Sequence, residues 1–472
     1  MKLTFYGGIK EIGGNKILLE ADSTRIFLDF GKNYGRFSEF FEEYLQPRTI
    51  HGLKDYLELE LLPLRNNIYR NDLIKILIKE KYSKLKEYLK TDIDGILISH
   101  AHLDHTGFLS FVNETIPVFV SNTSMLAIKA FQTIRPHNLE SEILFVNKRI
   151  KNTSKKNISS HQSAGRVNRN FQTVNDLIPF KIKNIEITPI PTSHSIPGAL
   201  MYFIKTRKHN ILYTGDFRID KSSKKDYYNI LKPFKDQGID ILITEGTRIN
   251  DEKPVSENEV YEKSLEILKK VKQLILIDYT FSDVTRFNTL CKIAKKLKRT
   301  LVIPTKNYYY LRYLNEGLKL SNPLSGVKIY NREKCIVPLW EKDLLENYDT
   351  VTVSQLNRSQ SKYILVLNYF QINELIDIKP KEGSYFLHAI TEPHSEESEL
   401  SEERFLNWID FFKLSRPERS HASGHISKNE LADFIKFMDP KLVIPIHTQN
   451  PEKFKDFCSK VYIPKLNETK TF

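Results

Sequence analysis

The segment "ILISHAHLDHTGFL", residues Ile96–Leu109, joins a short apolar run to a turn that carries three histidines and one aspartate. These polar residues follow the order His100-x-His102-x-Asp104-His105. The whole chain has 13 histidines, so three of them within six positions are poorly explained by a solvated loop. Imidazole and carboxylate groups are common ligands of zinc, with manganese and iron as alternatives. The spacing therefore predicts a metal site on a loop that follows a buried strand.

The same turn favours two neighbouring ions over one. On an irregular loop, His100 and His102 can face one ion while Asp104 and His105, at the entry to a helix, face another. Two ions about 3.5–4 Å apart need an anionic bridge and can hold a hydroxide between them. Asp216, within "YTGDF", is suited to be that bridge.

Other acidic residues and histidines also come just after strand-like runs. They are Asp29 after "RIFL", His194 after "IEITPIPTS", Asp216 after "NILYTG", Glu245 after "DILIT" and His447 after "KLVIPI". In α/β sheets, functional groups gather beyond the carboxyl ends of strands, because loops there vary over a rigid scaffold. One polar residue after a strand means little. These five residues and His100, six in all, predict one shared site.

Composition sets wider limits. A chain of 472 residues has room for two or three domains, and it contains no run of 18 apolar residues that would predict a membrane span. The opening "MKLTFYGG" indicates a strand and no apolar signal segment. Three scattered cysteines favour a reduced, cytoplasmic setting over a disulfide framework. The net charge of +13 favours polyanionic partners, although alone it is a weak indicator.

The pattern of predicted strands and helices changes along the chain. Strand-like runs at the start give way to a charged segment of helical periodicity, about Tyr34–Lys90, and then to alternating strands and helices. The basic stretch "VNKRIKNTSKKNISSHQSAGRVNRN" has no period and is interpreted as an exposed loop, either a nucleic-acid contact or a plain connection. From Thr247, longer helices alternate with buried strands, as in a separate α/β sheet. The last predicted strands are again followed by polar loops, as in the first part of the chain.

The motifs "SHAHLDHTG", "TSHSIPGA" and "YTGDF" together resemble those of the metallo-β-lactamase superfamily of dinuclear hydrolases. The opening "GGIKEIGGNKILLEADSTRIFLDFG", the acidic motif "ITEGT" and the later "HASGHI" and "PIHT" resemble its β-CASP nuclease branch, and within it the ribonuclease J group. The resemblance implies an α/β fold, namely a metallo-β-lactamase αββα sandwich with an inserted β-CASP α/β domain. Residues 1–245 and 426–472 would form the sandwich, and residues 246–425 the insertion.

The resemblance also implies a role for each site residue. His100, His102 and His194 would hold one ion, Asp104, His105 and His447 the other, and Asp216 would lie between the two ions. Asp29 would orient the histidine loop from behind the ligands. Ser423 and Gly424 would help to hold a phosphate group of the substrate.

The implied activity is hydrolysis of phosphodiester bonds in nucleic acid, with RNA favoured over DNA, by a 5′-exonuclease, an endonuclease or both. Two divalent ions, zinc or else manganese, would hold the bridging hydroxide that attacks phosphorus. Besides the ligand Asp104, Glu245 and His425 are the expected catalytic residues. His425 would protonate the leaving oxygen, or in the rival interpretation only hydrogen-bond a phosphate oxygen. We also expect a homodimer with no membrane association.

Three alternatives stay open at this point. A DNA-processing nuclease of the same branch is one, because no residue identifies a 2′-hydroxyl by sequence alone. A small-molecule hydrolase such as a thioesterase or lactonase is disfavoured by the large insertion, and a non-catalytic binding protein by the complete ligand set. The chain departs from the ribonuclease J pattern after His447, where Thr448 and Gln449 replace the usual Gly-Glu.

A nucleic-acid substrate would need a basic surface along its backbone. Candidate contacts are Arg286, Lys306, Arg312 and the Lys148–Arg169 stretch. Each of these is also explained as an ordinary solvated residue.

Overall fold

The computed structural model describes residues 1–42, 44–48, 51–79, 82, 84–135, 138–150, 162–220, 224–319, 324–391 and 396–472. In chain order the strands are β1 Lys2–Gly7, β2 Lys16–Ala21, β3 Thr24–Leu28, β4 Gly95–Leu97, β5 Val118–Ser121, β6 Phe145–Ile150, β7 Gln162–Asn168, β8 Phe171–Val174, β9 Phe180–Ile182, β10 Ile185–Pro191, β11 Leu200–Lys205, β12 Asn210–Tyr213, β13 Ile241–Glu245, β14 Ile275–Asp278, β15 Thr300–Pro304, β16 Lys328–Asn331, β17 Thr350–Thr352, β18 Tyr363–Val366, β19 Tyr385–His388, β20 Leu442–Ile446 and β21 Thr469–Thr471.

The α-helices are α1 Tyr34–Ser38, α2 Gly52–Glu58, α3 Asn71–Lys79, α4 Leu103–Thr106, α5 Asn122–Ile134, α6 Lys224–Asp236, α7 Glu257–Leu268, α8 Val284–Leu297, α9 Thr305–Leu318, α10 Leu339–Asn347, α11 Val353–Arg358, α12 Leu375–Ile378, α13 Glu396–Phe411 and α14 Lys428–Met438. Short 3₁₀ turns include Gly107–Phe111, Gln360–Lys362, Tyr369–Glu374 and Pro451–Asp456.

The described residues divide into two compact units. The first unit combines Met1–Lys253 with Gly424–Phe472, and the second unit is Pro254–Ser423. The domain limits that the resemblance implies, 245/246 and 425/426, stay a prediction about where the two family domains meet.

The first unit is built on two facing sheets. One has the strand order β21-β1-β2-β3-β4-β5-β8 and the other β20-β13-β12-β11-β10-β9. Apolar side chains of both sheets, such as Leu19, Ile26, Ile187 and Tyr202, form a single buried core between them. Their burial removes apolar surface from water, which is the main force that holds two sheets face to face.

Helices cover the outer faces of these sheets. On the second sheet, Leu231 of α6 and Phe434 of α14 are fully buried against outward-facing residues such as Phe203 and Leu242. Helix α5 packs on β5 and β8 of the first sheet, and it begins where the Ser121 hydroxyl accepts the N–H of Ser124. The predicted αββα sandwich is therefore confirmed.

The second unit is an α/β structure of its own. Its described residues form a sheet of six parallel strands in the order β17-β16-β15-β18-β14-β19. Strands such as "ILID" in β14 are buried along their whole length, as expected when helices cover both faces of a parallel sheet. Helix α7 begins with a capping box between Ser256 and Glu259. The predicted inserted α/β sheet is confirmed.

The helical interpretation of Tyr34–Lys90 is only partly correct. The described residues of this segment form the three short helices α1, α2 and α3, and those from Lys84 to Lys90 form no helix. Leu85 is buried, and the Tyr88 hydroxyl donates to the backbone carbonyl of Tyr69. These tertiary contacts outweigh the helical propensity of a lysine- and leucine-rich sequence.

The basic stretch is not simply a loop. Its two ends form the antiparallel pair β6–β7, while residues 151–161 lie outside the described part of the chain. Lys148 pairs with Glu114 and Arg149 with Glu142 at 2.9 Å, so both are engaged within the first unit. Arg169 is buried and donates to the carbonyl of Ile143.

Arg286 was expected as a substrate contact, and this expectation is wrong. Its side chain is 1% exposed and its guanidinium pairs with Glu257 at 2.7 Å. It also donates to the backbone carbonyls of Ala389 and Ser420. A guanidinium engaged in this way supports the fold of the second unit and has no free face for a phosphate.

Candidate metal centre

The topology brings the predicted site residues to one edge of the first unit. Strands β12, β13 and β20 are parallel neighbours, so Asp216, Glu245 and His447 emerge at the same end of their sheet. Strands β3 and β4 are parallel neighbours in the facing sheet, and they deliver Asp29 and the His100 loop. The edge predicted from strand ends therefore exists.

Three histidines form the first group of possible ligands, which are His100, His102 and His194. The Nδ1 of His102 lies 3.0 Å from the Nε2 of His100 and 3.2 Å from the Nε2 of His194. Two donors at zinc–nitrogen distances of about 2.0–2.1 Å in a tetrahedron would be separated by roughly 3.3 Å. The three nitrogens therefore have the spacing of ligands to one ion.

A second group adjoins the first and contains Asp104, His105, Asp216 and His447. The Oδ2 of Asp216 lies 3.1 Å from the Nε2 of His105 and 3.4 Å from the Nε2 of His447. The same oxygen lies 3.9 Å from the Nε2 of His100 in the first group. Asp216 is thus placed between the two groups, as a bridging ligand would be.

Three of the histidines in these groups have an oxygen partner on the ring nitrogen that faces away from the other ligands. The Nδ1 of His105 contacts Oδ2 of Asp29 at 2.6 Å, and the Nδ1 of His447 contacts the Thr247 hydroxyl at 2.9 Å. The Nδ1 of His194 contacts the carbonyl oxygen of Gly424 at 2.8 Å. When Nδ1–H donates to these oxygens, Nε2 keeps its lone pair for a metal.

Asp29 is held in turn by residues around it. Its carboxylate accepts the N–H and the hydroxyl of Ser99 at 2.7 Å each, as well as the hydroxyl of Tyr213. Both Asp29 and His447 have left-handed backbones, with φ of 56° and 50°. Such conformations cost free energy in non-glycine residues and concentrate at functional sites.

The donor set fits two divalent cations. Lone pairs on three imidazole nitrogens converge, with His100 and His194 buried and His102 half-buried, and they would repel each other unless a cation lay among them. The Oδ1 of Asp216 is buried without a hydrogen-bond partner among the described residues, which leaves it available as a ligand. Nitrogen and carboxylate donors in this number suit zinc or manganese.

Burial and mutual proximity shift the pKa values of the ligands. Burial, with neighbouring imidazoles, holds the pKa values of His100 and His194 well below the ordinary value. Burial also lowers the pKa of His102 to about 4. These three imidazoles are therefore neutral at pH 7, which is the form that binds metal. Burial opposes the charged form of His105 as well, but Asp216, Asp29 and Asp104 raise its pKa well above the ordinary value.

His425 and Glu245 form a pair beside the ligands. The Nδ1 of His425 lies 2.9 Å from Oε2 of Glu245, and Glu245 is fully buried. The other carboxylate oxygen of Glu245 accepts the backbone N–H of Phe217 at 2.8 Å, which fixes its orientation. Burial disfavours the charged imidazole, but Glu245 and then Asp216 and Asp104 raise the pKa of His425 to about 9.

Gly424 has a contact that the sequence did not predict. Its carbonyl orients His194, and a Cβ added to it would lie 2.8 Å from the backbone N of Ser195. Its expected role toward a substrate phosphate, like that of Ser423, stays a prediction. Ser99, Tyr213 and Thr247 were missed as well, although each stands inside a motif already noted, directly before His100, in "YTGDF" and in "ITEGT".

Comparisons with known proteins agree with this geometry. A family model described as "Beta-lactamase superfamily domain" matches residues 79–278, and one described as "Zn-dependent metallo-hydrolase RNA specificity domain" matches residues 418–461. The chain is 23% identical over 466 residues to Ribonuclease J of Mycoplasma genitalium, a match that covers 94% of this chain and 67% of the relative. It is 24% identical over 451 residues to Ribonuclease J 2 of Staphylococcus aureus, a match that covers 93% of this chain and 67% of the relative.

A crystal structure of a protein of unknown function from Enterococcus faecalis has the same fold. It superposes with a TM-score of 0.71 at 20% identity, and the match covers 99% of both chains. This likeness concerns the fold alone. Among the helices of the described residues, none has the length and apolar character needed to cross a membrane.

The sandwich, the two groups of possible ligands and the family matches make the chain similar to the metal-binding hydrolases of the metallo-β-lactamase superfamily. Within that superfamily the chain is similar to the β-CASP nucleases and is ribonuclease J-like. The resemblance inferred from the motifs is therefore confirmed.

Proposed function

We propose that this chain is a ribonuclease that hydrolyses phosphodiester bonds with two divalent ions, zinc or else manganese. The single observation that carries the proposal is the convergence of seven ligand side chains beside the His425–Glu245 pair. Hydrolysis of an unactivated phosphodiester needs a nucleophile, stabilisation of phosphoryl charge and a proton for the leaving oxygen. The seven ligand side chains, with the ions they would hold, and the His425–Glu245 pair together provide all three of these requirements.

When bound, the two ions supply a water-derived nucleophile near neutral pH and stabilise charge on the phosphoryl oxygens. His100, His102 and His194 would hold one ion, and Asp104, His105 and His447 the other, with Asp216 shared. Asp29, Thr247 and the Gly424 carbonyl keep three of the imidazoles in the tautomer that exposes Nε2.

His425 is proposed as the general acid. Glu245 holds its Nδ1, so the remaining N–H is on Nε2 and is available to a leaving oxygen. Its side chain is 21% exposed, whereas the side chain of His447 is 1% exposed, so substrate can reach His425. A raised pKa keeps the ring protonated at neutral pH, which a proton donor requires.

RNA is the proposed substrate because the family model over residues 418–461 bears the description "RNA specificity domain" and the matched relatives are named Ribonuclease J. The same description supports zinc. A 5′-exonuclease and an endonuclease mode, and a cytoplasmic homodimer, are finer proposals. Product lengths on 5′-labelled RNA would separate the two modes, and light scattering would measure the assembly.

The test is cleavage of labelled RNA by purified protein. We expect cleavage with Zn²⁺ or Mn²⁺ and none after chelation, and we expect slower cleavage of DNA of the same sequence. Equal rates on DNA would favour the DNA-processing alternative. Hydrolysis of thioesters or lactones without cleavage of either nucleic acid would favour a small-molecule hydrolase.

A further inference from the structure

Lys16 is an unusual residue at its position. It is the first residue of β2 and only 2% exposed, in a strand whose next three positions are buried isoleucine and leucines. Lysine is almost never fully buried unless its ammonium group is paired. The metal ligands and the His425–Glu245 pair give it no role, so its burial calls for an explanation of its own.

The ammonium group of Lys16 joins two backbone loops. Its Nζ donates to the carbonyl of Gly14 at 2.7 Å and to the carbonyl of Gly31 at 2.9 Å. Gly14 belongs to the connection between β1 and β2, and Gly31 follows Asp29 after β3. Burial lowers the pKa of Lys16 to about 8, against the opposing charge of Glu11.

Both loops support the short helix α4, which carries Asp104 and His105. The N–H of Gly14 donates to the carbonyl of Asp104 at 2.9 Å, and the N–H of Phe30 donates to the carbonyl of His105 at 2.9 Å. A Cβ on Gly31 would lie 1.6 Å from the carbonyl oxygen of Asp104. The helix therefore lies directly on the two loops, and a shift of either loop moves these ligands.

We propose that Lys16 is a positioning residue for the Asp104–His105 half of the metal centre, acting through the Gly14 and Gly31 loops that its ammonium group holds together. The inference rests on the proposed two-ion centre. It goes beyond the ligands and the groups that orient their imidazole rings, because the Lys16 ammonium contacts none of these and reaches the ligands only through the Gly14 and Gly31 loops.

The first ion should be much less sensitive to Lys16 than the second. The carbonyls that Lys16 binds adjoin α4, whereas His194 comes from the facing sheet and is oriented by Gly424. Without the ammonium, two buried carbonyls lose their donor and the loops must rearrange to satisfy them. Loss of such an outer support lowers metal affinity by about 10–100-fold.

The test is metal loading of the Lys16→Met variant of the full chain, which keeps most of the side-chain volume and removes the donors. Bound zinc per chain would be measured across buffered free zinc concentrations, with Lys10→Met as the matched control. Lys10 lies on the same β1–β2 connection, but its side chain is 58% exposed. Cobalt(II) loading would give a second reading through the visible spectrum of each equivalent.

We expect wild type and Lys10→Met to bind two ions alike. Lys16→Met should bind its first ion within about threefold of wild type and its second about 10–100-fold more weakly, with an altered spectrum for the second cobalt only. Wild-type loading of both ions by Lys16→Met, or equal weakening of both, would overturn the proposal. Should circular dichroism show Lys16→Met unfolded, Lys16→Gln, which retains one amide donor, is judged by the same two criteria.

RNA cleavage is not a readout in this experiment, so the two proposals can fail separately. A wild-type chain that loads two ions and cuts no RNA refutes the ribonuclease, while the Lys16 result stands. A chain that cuts RNA while Lys16→Met loads both ions normally refutes only the role of Lys16.

Discussion

Glu245→Gln tests how His425 acts, because it removes the negative charge beside His425 while it keeps the size and shape of the side chain. The glutamine keeps the shape of the side chain and an oxygen that can accept the N–H of Phe217, which lies 2.8 Å from the carboxylate. Its amide group would then face the Nδ1 of His425 as a donor. A donor in that position stabilises the neutral imidazole, whereas the carboxylate stabilises the charged one.

The expected change in the pKa of His425 follows from its contact with Glu245. The pKa of His425 is about 9, and Glu245 at 2.9 Å is the largest influence that raises it. Loss of an adjacent opposite charge lowers such a pKa by about 1–3. A general acid works only while protonated, so the rate falls as pH rises through its pKa. For a fall from about 9 to about 7, the protonated fraction at pH 8 drops from about nine-tenths to about one-tenth.

The assay is the pH dependence of kcat/KM on a short labelled RNA, from about pH 6 to about pH 10, at constant free metal. The alkaline limb of Glu245→Gln should move to lower pH by about 1–3, with rates near wild type at the acid end. His425→Ala should lose this limb. An alkaline limb at the same pH in wild type and Glu245→Gln would refute the general-acid assignment.

The remaining predictions concern single contacts. His425→Ala should keep both ions and lose about 10²–10⁴-fold in turnover, whereas Asp104→Ala should lose metal by elemental analysis. Unchanged turnover in the first, or full loading in the second, would contradict these roles. Gly424→Ala places a Cβ 2.9 Å from the Nδ1 of His194 and should weaken metal binding by about 10–100-fold in zinc titrations. A zinc titration identical to that of wild type would show that the contact between Gly424 and His194 is unimportant. Arg286→Met leaves Glu257 without its cation and should lower the free energy of unfolding in urea by about 3–5 kcal/mol. A free energy of unfolding close to that of wild type would show that the ion pair is dispensable.

Much of the candidate site could be predicted from the sequence because its residues follow strands. Asp29, Asp216 and His447 each come directly after, or within three residues of, an apolar run that forms a buried strand. Parallel neighbours bring such positions to one edge whatever the exact strand lengths. For that reason one shared site could be predicted from the sequence pattern, whereas the αββα sandwich and the division of the ligands between two ions were implied by the family resemblance.

Other contacts depend on tertiary packing that no local pattern encodes. Lys16 and Arg286 look like solvated basic residues in the sequence, yet both are buried on backbone carbonyls. The Gly424 carbonyl reaches His194 across 230 residues of chain. Helical periodicity near Lys84 was overridden by the burial of Leu85. In each case a partner distant in sequence decides the outcome.

We propose above that this chain cuts RNA with metal ions held by the two ligand groups. The most direct measurement is cleavage of 5′-labelled RNA by wild-type protein of known metal content, before chelation, after chelation and after restoring Zn²⁺ or Mn²⁺. We expect cleavage that disappears with the metal and returns with it, at about two ions per chain. Cleavage that persists in the chelated protein, or none from protein carrying two ions, would contradict it.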